Sequence, residues 1–132
     1  MAEHGRLVLS VEDNPQNSML VDKVLRGAGY RVVHAVDGTA ALRAAGAERP
    51  DVVLLDIHLP GFDGFEALRR LRALPGLEKI PMLALTADVL RGDRGAILAG
   101  GFDDYLAKPY RIDELLAMVE RHCPRAGGEP VK

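Results

Sequence analysis

The chain has 132 residues, 48% of them hydrophobic and 27% charged, with a net charge of −2 and a pI near 6.1. That length points to one domain able to bury its own core, and the composition argues against disorder. The near-neutral charge leaves no electrostatic footprint for nucleic acid or an anionic membrane.

In chain order, Arg6–Val11 reads as a strand. Asn14–Pro15 follows as a helix N-cap with proline in the first helical position. Leu20, Val21, Val24, Leu25 and Ala28 recur at helical spacing until Gly29 stops the helix. Tyr30–Val36 is a second strand, and the alanine-rich Gly38–Glu48 a second helix. Pro50–Asp56, "PDVVLLD", is a buried strand that ends on a carboxylate. Asp63–Leu74 presents a helical face of Phe65, Leu68 and Leu71. Ile80–Thr86 is another buried strand. Leu90–Ala99 is expected to be helical but weakened by Gly92 and Gly95, at up to about 1 kcal/mol each. Phe102–Ala107 is a short strand, and Ile112–His122 a final helix with Leu115, Leu116 and Val119 inside.

Five β-then-α units with near-continuous apolar strands predict an α/β fold, a doubly wound parallel sheet covered on both faces. Residues 1–124 are expected to form the domain and residues 125–132, "RAGGEPVK", a flexible tail. The single cysteine, Cys123, allows no internal disulfide and fits a reducing cytoplasm. The N-terminus lacks a signal-peptide pattern, and no apolar run approaches the roughly 20 residues of a membrane span.

Ligands of such sheets bind beyond the carboxyl ends of the strands. Glu12 and Asp13 follow the first strand, Asp56 ends the third, Thr86 ends the fourth, and Lys108–Pro109 follow the fifth. Three carboxylates brought to one rim repel one another, and a hard divalent cation such as Mg²⁺ is the natural offset. No Cys or His set has zinc spacing. A carboxylate beside Mg²⁺ can act as a nucleophile and form an aspartyl phosphate. Phosphoryl transfer then needs its equatorial oxygens neutralised, which Mg²⁺, the Lys108 ammonium and the Thr86 hydroxyl could share.

Over residues 6–122 the chain resembles the receiver domains of two-component response regulators. The motifs that carry the likeness are "VEDN" (Val11–Asn14), "LLDIHLPGFDG" (Leu54–Gly64), "LTA" (Leu85–Ala87) and "KP" (Lys108–Pro109). The resemblance implies a flavodoxin-like (βα)5 fold. It makes Asp56 the phosphoacceptor, with Mg²⁺ held by Asp13, Asp56 and the backbone carbonyl of His58, and by Glu12 through a water. Thr86 and Lys108 would contact the phosphoryl group, Thr86 and Tyr105 would act as the switch pair, and Lys108–Pro109 would be a cis peptide. The donor would be a histidine kinase or a histidine phosphotransfer protein. Output would pass to a protein target through the face of the fourth helix, fifth strand and fifth helix, which can also support a homodimer. Nucleic-acid and membrane contacts are not expected. Since no output domain follows residue 122 and Met1 lies just before the first strand, a stand-alone module is expected. The family is a signalling module that catalyses only its own phosphorylation and dephosphorylation.

There are departures. The acidic pair is Glu-Asp where many members have Asp-Asp. His58 and Asp88 occupy positions that vary in the family and tune phosphate lifetime. His58 also invites a metal-ligand or phosphohistidine reading, although an exposed loop residue accounts for it as well. Two alternatives stand beside the receiver. A haloacid-dehalogenase-like phosphatase would want a second acid where His58 stands, and a phosphorylation-independent pseudo-receiver would usually lack the acceptor, threonine or lysine.

Overall fold

The computed structural model describes residues 6–87 and 93–124. The elements alternate as β1 (Leu7–Val11), α1 (Pro15–Gly27), β2 (Arg31–Ala35), α2 (Gly38–Ala47), β3 (Val52–Asp56), α3 (Gly64–Arg72), β4 (Met82–Thr86), α4 (Asp93–Ala99), β5 (Asp104–Ala107) and α5 (Ile112–His122). The strands form one parallel sheet in the order β2-β1-β3-β4-β5. This is the flavodoxin-like, doubly wound fold expected from the alternation. Asp88, the expected start of the fourth helix at Leu90–Gly92, residues 1–5 and the tail 125–132 lie outside the described residues.

Successive strand side chains point to opposite faces, and both faces are apolar. Leu9, Val11, Val53, Leu55, Met82 and Ala84 pack with Ala41 and Ala45 of α2, Ala67, Leu68 and Leu71 of α3, and Ile97 of α4. Val8, Val32, Val52, Leu54, Leu83 and Leu85 pack with Val21 and Leu25 of α1 and with Leu115, Met118 and Val119 of α5. Leu54 and Leu55 are fully buried, and each contributes about 1.5–3 kcal/mol by leaving water.

Several elements are shorter than the residue pattern suggests. The Asn14 side chain caps α1 by accepting from the N–H of Gln16 and Asn17, and Gly29 sits past its end at φ +100°. Tyr30 looks like strand, but its N–H closes the helix end on the Leu25 carbonyl. Phe102 does the same for α4, donating to the Ile97 carbonyl. Pro81 precedes β4 because it has no N–H to give, and its carbonyl instead accepts from Val53. The end of α3 tightens into turns in which Ala73 and Leu74 donate to the carbonyls of Arg70 and Leu71.

Candidate functional site

The carboxyl ends of β1, β3, β4 and β5 share one rim. There Glu12 and Asp56 are almost completely buried, at 4% and 6% exposure, while Asp13 is exposed. One carboxylate oxygen from each of Glu12, Asp13 and Asp56 lies within 4.8 Å of the others. The sheet brings them together because β1 and β3 are neighbours in parallel register, with Val11 beside Leu55.

Lys108 bridges two of the three. Its ammonium donates to Asp56 Oδ2 at 2.9 Å and to Glu12 Oε1 at 3.0 Å. Its backbone N–H donates to the Thr86 carbonyl at 2.7 Å, and its peptide bond to Pro109 is cis. Burial alone would lower the Lys108 pKa, but the hydrogen bonds and charges of Asp56 and Glu12 outweigh it, so the ammonium is held above the usual lysine range.

The remaining oxygens are held by backbone. His58 N–H donates to Asp56 Oδ1 at 2.9 Å, and Asn14 N–H donates to Glu12 Oε2 at 3.1 Å. Each carboxylate is therefore gripped on one oxygen by the Lys108 ammonium and on the other by an amide two residues further along the chain. Gly64 closes the loop after Asp56: its N–H donates to the Ile57 carbonyl at 2.8 Å, and a methyl group on it would lie 2.7 Å from the Asp56 carbonyl.

Of the remaining residues singled out by sequence, Thr86 is buried at the end of β4, opposite Ala107 in register. His58 is an exposed loop residue. Tyr105 lies within β5 opposite Ala84, half-buried against the layer that holds α2, α3 and α4. One neighbour escaped sequence reasoning. Tyr110, two residues past Lys108, is half-buried, and its phenol is pushed up chiefly by burial. The Lys108 charge opposes that shift and the Glu12 and Asp56 charges add to it, so Tyr110 stands in the field of the cluster. Its position next to Pro109 was the available signal.

A family model for the response regulator receiver domain matches residues 8–120. The chain belongs to this family. The receiver domain of the sensor histidine kinase PA1611 from Pseudomonas aeruginosa, solved with a magnesium ion coordinated in its active-site cleft, is 43% identical, with a TM-score of 0.82 over 89% of this chain and 97% of that one. The chemotaxis protein CheY4 of Vibrio cholerae is 32% identical, with a TM-score of 0.83 over 89% of this chain and 98% of that one. The probable transcriptional regulatory protein TcrX of Mycobacterium tuberculosis is 41% identical over 121 residues, which are 91% of this chain and 50% of that protein. The receiver spans about half the length of the curated transcriptional regulators it matches. No helix among the described residues is long and apolar enough to cross a membrane.

Proposed function

We propose that Asp56 accepts a phosphoryl group from a partner's phosphohistidine, with Mg²⁺ bound at the rim, and that the resulting aspartyl phosphate is the signal. The observation that carries this reading is the charge balance: three carboxylates cluster within 4.8 Å while one ammonium is hydrogen-bonded to two of them. The donors are hard oxygens, a set that suits Mg²⁺. Asp13, Asp56 and the His58 carbonyl would hold the ion, with Glu12 acting through a bound water. When bound, the ion would supply neutralisation of charge on the phosphoryl oxygens.

An Asp56 carboxylate oxygen attacks phosphorus as the N–P bond to the donor imidazole breaks, and the leaving nitrogen keeps the electron pair and takes up a proton. His58 N–H keeps the carboxylate oriented. Lys108 moves from Asp56 toward a phosphoryl oxygen while Glu12 retains it, and the Thr86 hydroxyl binds another oxygen. Tyr105 turns inward in response, and the α4-β5-α5 face changes toward a protein target or a second copy. A cytoplasmic histidine kinase or histidine phosphotransfer protein is the donor. Reaction and reversal happen on the protein itself, which makes it a signalling module rather than a turnover enzyme.

Intact-mass measurement tests this. Wild type incubated with Mg²⁺ and acetyl phosphate, or with a phosphorylated kinase, should gain one acid-stable, base-labile phosphate that Asp56→Asn does not gain. A folded wild type that takes phosphate from no donor overturns the proposal in favour of a phosphorylation-independent module. Sustained turnover of a small phosphate ester would instead indicate a haloacid-dehalogenase-like phosphatase.

A further inference from the structure

The loop from Ile57 to Asp63 joins Asp56 to α3 and carries both His58 groups the site needs: the N–H on Asp56 Oδ1 and the carbonyl. Its inner end is fixed by the contact of Gly64 with Asp56 and Ile57. Its outer half, Pro60–Asp63, turns back at Gly61 (φ +83°) and holds one large apolar side chain, Phe62.

Phe62 reaches across to another element. A methyl group on Gly38, the first residue of α2, would lie 2.1 Å from its Cε1 and 2.5 Å from its Cζ. The ring therefore occupies the space that any side chain at position 38 would need. The Arg70 guanidinium of α3 covers the ring, with its carbon 4.2 Å from the centroid. Gly38 is itself fixed, because the neighbouring Asp37 side chain caps α2 by accepting from Ala40 N–H at 2.8 Å. Phe62 is thus clamped between the start of α2 and the flank of α3.

We infer that Phe62, seated against Gly38, is a positioning residue for the rim: it fixes the outer half of the loop and so the direction in which His58 presents its backbone to Asp56 and the metal. This deepens the phosphoacceptor reading and rests on it.

Mg²⁺ titrations followed by amide NMR shifts, with urea unfolding alongside, test it on wild type, Phe62→Ala, Phe62→Leu, Gly38→Ala and the Phe62→Ala/Gly38→Ala double variant. Phe62→Ala should weaken Mg²⁺ binding roughly tenfold, as loss of an outer support does, while its spectrum stays dispersed. Phe62→Leu, which keeps an apolar wedge of similar size, should remain within about twofold of wild type. Gly38→Ala should weaken binding like Phe62→Ala by expelling the ring, and should add nothing where the ring is already gone. If Phe62→Ala fails to fold, the Gly38→Ala and Phe62→Leu pair decides. Unchanged affinity in Phe62→Ala or Gly38→Ala, with only stability lost, overturns the inference alone. A wild type that binds no Mg²⁺ overturns the metal reading as well.

Discussion

The two rims of the sheet treat charge in opposite ways. At the amino ends of the strands, Arg72 leaves α3 and donates to the carbonyls of Glu78, Ile80 and Gly101 and to Asp103 Oδ2, at 2.9–3.2 Å. The same Asp103 oxygen accepts from Met82 N–H, and Asp51 accepts from Leu7 N–H, at 2.8 and 2.7 Å. There each charge ties down backbone at or shortly before a strand start. At the carboxyl ends, three carboxylates stand against one ammonium. At the first rim each of these charges is hydrogen-bonded to the chain's own groups. Among the described residues the second sets three carboxylates against one ammonium, and on that imbalance the proposed Mg²⁺ site rests.

Equal substitutions at the two rims should therefore have unequal effects. The largest contrast is Arg72→Ala against Asp56→Asn. The former leaves the partly buried Ile80 carbonyl without its donor and removes three exposed contacts, and should cost about 2 kcal/mol in urea unfolding. The latter removes one of three like charges, and should stay within about 1 kcal/mol of wild type while abolishing phosphate uptake. A comparable loss of stability in both would erase the distinction.

A smaller effect sharpens it. Without metal, Asp13→Asn should raise stability by about 0.5–1 kcal/mol by easing repulsion. Mg²⁺ at ten times its Kd should then stabilise wild type by about 1.4 kcal/mol and leave Asp13→Asn nearly unaffected. Thermal melts with and without Mg²⁺ read both.

The smallest effect is in alkaline solution. The folded Lys108 pKa is raised, so its contribution to stability is complete below the ordinary lysine value of 10.5 and is lost as pH climbs through the folded value. Urea unfolding across that range should show wild type losing stability more steeply than Asp56→Asn, in which the ammonium keeps one carboxylate partner rather than two. Equal slopes would remove Asp56 as the cause of the shift.

Much of the carboxyl-end rim is legible in the sequence, because each of its residues ends or follows a recognisable apolar strand. Position along the chain then stands in for position in space. Asn14–Pro15 and Gly29 mark the first helix through local backbone chemistry, which neighbouring residues reveal. The opposite rim is not legible. Arg72 reaches carbonyls up to 29 residues away and a carboxylate 31 residues away, and nothing in the spacing of an arginine-rich helix end marks which arginine turns inward. The Phe62–Gly38 contact is hidden for the same reason: it joins a loop to a helix start that only the packing of α2 on α3 brings together. Strand ends are overrun wherever a β-forming residue such as Tyr30 or Phe102 spends its N–H on closing the preceding helix, since that local capping bond overrides strand propensity.

If the carboxyl-end rim, and not its counterpart, has an unmet need for a cation, a Mg²⁺ titration of the wild-type protein should show it most directly, read residue by residue from amide NMR shifts. Saturable shifts are expected at Glu12, Asp13, Asp56 and His58, with Arg72 and Asp103 unmoved. No saturable shift at the first group, or equal shifts at both rims, would contradict that need.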